Sequence, residues 1–405
     1  MSTSRSEIII NQRTCCAVCG NRTLEKALRL PSLPLTGLFS RVANSGPVER
    51  FDQCLLVCPD CGHGQLEYQV NPAELYGNEY YFRTSVSAVA TAGTDFFLKL
   101  FDDLAPNHNF ECALDLGCND LHLLRKLSGR AKIKVGIDPI WKGRENQTGD
   151  PSIQVIGSTI EELDLRQSLP KPPDLILCSH TLEHIYDPLS LLQQLMDSAA
   201  DDALFLFEVP GFDALLRNYR FDLVFHQHLQ YFNLTSFNRL LDRVGAEYLA
   251  SRENHSHWWG PLLIAFRKMN RGRNVKAERS SSPFTIADLH SRYATFRHQM
   301  TATREVLDAF EERPLYGYGA SQMLPTLAYH LESDLSILEA ILDDDPAKQG
   351  LYYQNLPLKI MSTSSVADWS KVSVFITAVG NEKPILTRLL TGTRPKHILY
   401  PFQIF

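Results

Sequence analysis

No run of about 18 or more apolar residues occurs in this 405-residue chain, and residues 1–10 lack the long apolar core of an export signal. Neither membrane spanning nor secretion is expected, and the cytoplasm is the predicted compartment. An excess of positive charge is missing too, since 40 Lys and Arg stand against 46 Asp and Glu, a formal net charge of -6. A nucleic-acid groove or an anionic membrane surface needs the opposite balance, so neither is an expected partner. The G-x-G-x-x-G fingerprint is also lacking. Gly117 is followed by Cys118, Asn119 and Asp120, which argues against a pyrophosphate-bearing dinucleotide. The nine cysteines are odd in number and crowd toward the N-terminus, which fits a reducing compartment and a metal site better than a disulfide framework.

What is present is enough apolar residue, 44% of the chain, to bury two or three cores. Cys16, Cys19 and Gly20 form one C-x-x-C-G frame, and Cys58, Cys61 and Gly62 form another. Each is a knuckle whose glycine allows the tight turn that aims two thiolates at one ion. Two knuckles complete a four-sulfur shell for structural zinc. Cys15 and Cys54 fall outside both frames. The segment between is broken by proline and too polar to form a core alone, so the ion would contribute folding energy.

The chain is organised around residues 113–120. An apolar strand enters, Gly117 turns it where a side chain would meet a bound ligand, and Leu121, Leu123, Leu124 and Leu127 leave it in helical spacing. About twenty residues on, a second strand ends in Asp138, the carboxylate that such folds set against ribose hydroxyls. Further strands are predicted at 153–156, 174–178 and 203–207, the βαβ rhythm of a mostly parallel sheet. Ligands in such sheets bind beyond the carboxyl ends of the strands, which places Ser179, His180, Glu183, His184 and Glu208 at one mouth.

Two more groups carry chemistry. Tyr76, Tyr80, Tyr81 and Phe82 supply rigid apolar faces with polar tips, suited to a sulfonium or a hydroxylated substrate. His226 and His228 alternate beside Tyr231 and Phe232; they read as general base and substrate anchor, as a metal pair, or as structural histidines. A metal there lacks a nearby carboxylate or third histidine at regular spacing. After a basic, serine-rich linker (268–282) and an amphipathic helix (289–310), residues 315–320 form another strand entering a glycine turn. Amides of a helix after Gly319 would cradle a phosphate, with Asp343 and Asn381 at neighbouring strand ends.

The D-x-G-C turn at Asp115–Cys118 resembles motif I of class I S-adenosylmethionine (SAM) methyltransferases. The two knuckles, Tyr80-Tyr81-Phe82, residues 115–120, residues 183–188 and residues 226–232 come in the order found in zinc-containing sugar C-methyltransferases, which the chain resembles end to end. The resemblance implies an α/β fold: an N-terminal zinc-binding domain (1–75), a class I Rossmann-like methyltransferase domain (76–270) and a C-terminal Rossmann-like domain that binds a nucleotide sugar (271–405). It implies SAM and structural Zn2+ as cofactors, with Asp115, Gly117, Asn119, Asp138, Ser179 and His180 at the SAM site. Tyr318, Gly319, Ser321, Asp343, Lys348 and Asn381 are implied for the nucleotide sugar. His228 would deprotonate the carbon next to a keto group, with His184 and Tyr80 or Tyr81 steadying the enolate oxygen and His226 and Gln227 beside them. A monomer or homodimer is expected. O- or N-methylation of another small metabolite, and a SAM-binding protein without turnover, are the alternatives. The chain departs from the family pattern at Phe225 (tyrosine there), Gln227 (glutamate there), Leu121 (commonly glycine there) and Ser321-Gln322-Met323.

Overall fold

The computed structural model describes residues 9–43, 50–72, 75, 81–127, 129–255, 260–268 and 284–401. Tyr76, Tyr80 and nearly all of the expected linker at 268–282 lie outside the described residues. The N-terminal part forms short strands β1 (Ile9–Gln12), β2 (Glu25–Pro34), β3 (Phe39–Ser40), β4 (Arg50–Val57), β5 (Gly64–Leu66) and β6 (Tyr68–Val70). The middle forms β7 (Phe110–Leu116), β8 (Ala131–Ile137), β9 (Ile153–Ile156), β10 (Leu175–Ser179), β11 (Leu204–Val209), β12 (Gln230–Tyr231), β13 (Ala246–Glu253) and β14 (Leu262–Lys268). The last part forms β15 (Leu315–Tyr318), β16 (Ile341–Asp343), β17 (Tyr352–Tyr353), β18 (Ile360–Ser362), β19 (Ser373–Ile376) and β20 (His397–Leu399).

Seven middle strands make one sheet in the order β9-β8-β7-β10-β11-β14-β13. Only β14 runs against the other six. Counted along the chain the order is 3-2-1-4-5-7-6, the strand arrangement of class I SAM methyltransferases, as the resemblance implied. The central strands are apolar on both faces because both are covered. Leu114, Ile176 and Phe207 point into one core, and Ala113, Leu177 and Leu206 into the other. The antiparallel pair β13–β14 does not stand out in the sequence, since every β13 residue except one is only half-buried and the alternation is weak.

A four-stranded antiparallel sheet, β12-β5-β4-β2, takes its edge strand from the middle of the chain: Gln230 pairs with Gln65 and Tyr231 with Gly64. The last sheet, β18-β16-β15-β19-β20, is parallel in the order 3-2-1-4-5. The helix Ile286–Asp308 leads into it, started by reciprocal bonds between Thr285 and Asp288. Packing crosses residues 75 and 270. One core joins Leu30 and Leu55 to Phe221, Leu315 and Phe375; another joins Cys16, Cys58 and Cys61 to the methyltransferase-type sheet. No helix among the described residues is long and apolar enough to cross a membrane.

Candidate active site and metal centre

The two knuckles close on one another. Gly20 N donates to Cys16 O and Gly62 N to Cys58 O, both at 2.9 Å, with glycine φ values of +80° and +68° that only glycine adopts freely. The sulfurs of Cys16 and Cys61 stand 3.7 Å apart and those of Cys19 and Cys58 3.4 Å apart, and all nine cysteines are free. A disulfide would need about 2.05 Å, whereas a tetrahedral zinc with Zn–S near 2.3 Å sets its sulfurs about 3.8 Å apart. The four sulfurs therefore fit zinc. The unit is tied to the 226–233 segment by Asn233 Nδ2 donating to Gly62 O (2.9 Å) and by His63 Nε2 bonded to Gln230 Oε1 (2.9 Å).

At the carboxyl end of β7 the chain turns at Gly117, φ +69°. A Cβ there would lie 2.0 Å from Thr181 Oγ1, so the protein's own packing already demands the glycine that the sequence linked to a ligand. Thr181 Oγ1 is held in that place by Leu116 O at 3.0 Å. The helix expected after the turn is a single one, His122–Lys126, preceded by Leu121 at φ +67°. A leucine in the left-handed region costs about 1–2 kcal/mol, and this one is retained where its buried side chain fills the core. Asp138 closes the turn: Asn119 N donates to its Oδ2 (2.9 Å) and Ile140 N to its Oδ1 (3.0 Å). Burial raises the Asp138 pKa while those two amides lower it. Asp115 lies behind it, its carboxyl pushed well above the usual range by burial and then by the charge of Asp138. Residues 82–85 strap the turn, with Asn119 Nδ2 donating to Phe82 O (3.2 Å) and Ser85 N to Asp120 Oδ2 (2.9 Å).

Beyond β10 the polar groups converge. Ser179 Oγ donates to Glu208 Oε2 (2.7 Å), and the His180 ring lies between Glu183 (Nδ1–Oε1 3.4 Å) and Glu208 (Nε2–Oε2 3.6 Å). Burial opposes a charge on His180, yet the two carboxylates raise its pKa. Glu183 is 1% exposed, and neither of its oxygens has a hydrogen-bond partner among the described residues. Burial works against its charge as well, but His180, His184 and His228 together hold its pKa down at about 2. His184 Nδ1 donates to Gln227 O at 2.8 Å, and its ring lies 5.0 Å from that of His228. Burial, then His184, pushes His228 down to about 3 against the pull of Glu183, so it is neutral at ordinary pH. The sequence offered no carboxylate near the His226–His228 pair; the fold brings one to His228 from residue 183, far along the chain.

The remaining predicted residues are placed as follows. His226 spends both ring nitrogens on the N-terminal sheet, Nε2 on Leu33 O (3.1 Å) and Nδ1 on Gln53 Nε2 (3.3 Å). Gln227 Nε2 donates to Leu75 O (2.9 Å). Tyr81 is half-buried with its ring 5.6 Å from Phe39. In the last lobe Ala320 N donates to Asp343 Oδ2 (2.6 Å), and Lys348 Nζ donates to Ala320 O (3.2 Å). Ser321 Oγ accepts from Met323 N (3.1 Å), and Asn381 precedes the helix Glu382–Arg388. Tyr318 donates to Asp344 (3.0 Å), which also binds Thr363 (2.6 Å) and Arg388 (2.5 Å). The helix expected after Gly319 starts at Leu324, five residues on. Thr181 and Glu183 had no role assigned from sequence. Their signal is proximity to His180 and His184, which marks a mouth and not a partner.

Residues 89–251 match the family described as "Methyltransferase domain", and residues 16–76 match the family described as "Putative zinc binding domain". Among curated proteins, "C-methyltransferase NovU" of Streptomyces niveus is 28% identical over 242 residues, covering 57% of this chain and 55% of that protein. The chain thus spans about half the length of the curated relative it matches. Among solved structures, the N-methyltransferase NodS of Bradyrhizobium japonicum WM9 with S-adenosyl-L-homocysteine is 16% identical, covering 48% of this chain and 94% of that one at a TM-score of 0.38. A SAM-dependent methyltransferase of Clostridium acetobutylicum is 13% identical, covering 46% and 94% at a TM-score of 0.36. The fold assignment rests on the strand order and not on these overlaps. The chain carries a methyltransferase domain joined to a zinc-binding unit; SAM is the cofactor of such a domain, and the four-cysteine cluster fits structural zinc.

Proposed function

We propose that the protein is a SAM-dependent C-methyltransferase acting on a nucleotide-linked keto-deoxysugar in the cytoplasm, with a zinc-binding unit, a methyltransferase domain and a C-terminal substrate lobe. The observation that carries this reading is the pair His184–His228 beside the buried carboxylate of Glu183, at the mouth that also holds the Gly117 turn. SAM supplies an electrophilic methyl group. Asp138 would hold its ribose, because each carboxylate oxygen accepts one amide and keeps capacity for a further donor. Asn119, Ser179 and His180 line the same strand ends.

His228 acts as the base. It is neutral at working pH and takes the proton from the carbon next to the carbonyl, and Glu183 balances the imidazolium that forms. His184 and Tyr81 would steady the oxygen of the resulting enolate, whose carbon would take the methyl group as its bond to the SAM sulfur breaks and the neutral thioether S-adenosylhomocysteine leaves. His226, with both nitrogens engaged, holds the strand and takes no proton. Asp343, Lys348 and Tyr318 supply the polar contacts for the nucleotide part in the last lobe, with Gly319, Ser321 and Asn381 around them. Zinc stays structural.

The test is incubation of the protein with methyl-labelled SAM and a panel of nucleotide keto-sugars, followed by location of the label. A new carbon-bound methyl supports the proposal. A methyl on oxygen or nitrogen favours the heteroatom reading and overturns this one.

A further inference from the structure

We propose that the side-chain amide of Gln322, set over the bare face of Gly37, is a specificity-determining contact that takes a hydroxyl of the sugar. This rests on the reading above that a nucleotide sugar is the substrate, and it names a residue that selects its sugar part. Three parts of the chain meet at this point, and each is fixed there. The N-terminal unit supplies residues 33–40 as a bridge. At one end Leu33 pairs with Phe51, and its carbonyl accepts from His226 Nε2 at 3.1 Å. At the other end β3 pairs with β17 of the last lobe, Phe39 opposite Tyr353 and Ser40 opposite Tyr352. Between them Asn355 Nδ2 donates to Leu35 O (2.5 Å) and Gly37 N to Gln322 O (3.3 Å). Tyr353 Oη donates to Ser321 O (2.8 Å), so the residues after the Gly319 turn are tied to the same bridge.

Gly37 has φ +73°, and an added Cβ would lie 3.3 Å from Gln322 Oε1 and 3.8 Å from Gln227 Nε2. Two carboxamides, one from the last lobe and one from the segment of the base, therefore flank the space that a side chain at residue 37 would fill. Gln227 is engaged, its Nε2 donating to Leu75 O (2.9 Å) and its carbonyl accepting from His184 Nδ1 (2.8 Å). The Gln322 amide is half-buried and makes no hydrogen bond among the described residues. A carboxamide offers an acceptor and two donors without charge, which matches a hydroxyl, itself donor and acceptor, better than a phosphate. Beside it the Phe39 ring stands 5.6 Å from that of Tyr81 and 5.0 Å from that of Tyr353, an apolar wall for the C–H face of a deoxysugar. A sugar joined to a nucleotide in the last lobe has to cross this junction to reach His228.

The probes are uridine diphosphate glucose and thymidine diphosphate glucose, each compared with its own free nucleoside diphosphate by calorimetry on the full-length zinc-loaded protein. At least one nucleotide sugar should bind more tightly than its diphosphate. Gln322→Leu, of similar size, should lower that excess about three- to tenfold, with the affinity for the diphosphate unchanged and one equivalent of zinc retained as the check on folding. Gly37→Ala should lower the same excess, because its methyl group displaces Gln322 Oε1. An unchanged excess in Gln322→Leu overturns the proposal whatever Gly37→Ala shows, and so does an equal loss of diphosphate affinity in Gln322→Leu. A wild type that binds a diphosphate as tightly as its sugar conjugate overturns the contact and leaves the nucleotide reading standing. No binding of any of the four probes overturns that reading, and the contact with it.

Discussion

The lobe built on β7 and the lobe built on β15 share one local architecture and differ in what stands at its mouth. Each sheet contains the order 3-2-1-4-5, with a glycine after its first strand and an aspartate at the end of its second. In each, that aspartate accepts an amide of the glycine turn: Asn119 N to Asp138 at 2.9 Å, Ala320 N to Asp343 at 2.6 Å. In each, the glycine is required by a residue two places beyond the fourth strand. A Cβ at Gly117 would meet Thr181 Oγ1 at 2.0 Å, and one at Gly319 would meet Ala378 Cβ at 2.4 Å. The lesson is that the turn glycine reports how two strand ends pack and does not by itself report a ligand. The mouths differ in commitment. Asp344 of the last lobe is consumed by Tyr318, Thr363 and Arg388, whereas Glu183 of the methyltransferase-type lobe faces three imidazoles with no hydrogen bond among the described residues.

The largest expected effect lies with the zinc unit, which packs on the first lobe. Structural zinc is worth about 10–16 kcal/mol of apparent binding energy, so Cys61→Ser should lose the metal and most soluble protein. Zinc analysis of the purified chain checks it, and metal-free wild type would refute the assignment. Next comes His228→Ala, expected to lower turnover by ~10² to 10⁴ with SAM affinity unchanged. A variant of normal turnover would remove the distinction drawn between the two mouths.

Acidification should act on both halves. Burial lowers His226 on the first side and His330 in the last lobe to about 4, against about 6.5 in an unfolded chain. The unfolded chain therefore binds protons first as pH falls. Stability is fully present above pH 6.5 and declines toward pH 4, by at most roughly 3 kcal/mol per histidine. Urea midpoints between pH 7 and 4.5 measure this, and His330→Gln should flatten the slope.

Smaller effects sharpen the turn comparison. Gly117→Ala and Gly319→Ala should each cost about 1–3 kcal/mol, with Gly117 the worse. Adding Thr181→Ala to Gly117→Ala should recover most of the steric part, because the nearest remaining Thr181 atom, its Cβ, lies at 3.1 Å where Oγ1 lay at 2.0 Å, and leave about 1 kcal/mol for the positive φ. Thermal unfolding of the single and double variants decides it. Last, Asp138→Ala should weaken SAM by about 1–3 kcal/mol, while Asp343→Ala should leave SAM affinity as it is. Equal losses in calorimetry would erase the division of labour between the lobes.

Local chemistry carried much of this into the sequence. Two C-x-x-C-G frames specify a four-sulfur cluster because the ligand spacing and the turn glycine are set within five residues each, and the sulfurs lie where that spacing predicts. The apolar runs at 153–156 and 174–178 specify buried parallel strands, and β9 and β10 form there. The Asp138 strand end is equally local. Tertiary structure alone decided the rest, because it depends on pairs with no sequence proximity. It set Thr181 against Gly117, drew β12 into the N-terminal sheet, engaged both nitrogens of His226 with residues 33 and 53, and brought Glu183 and His184 to His228. A histidine's chemistry follows from what burial and neighbouring charges do to its proton, and those neighbours are chosen by the packing of the whole chain.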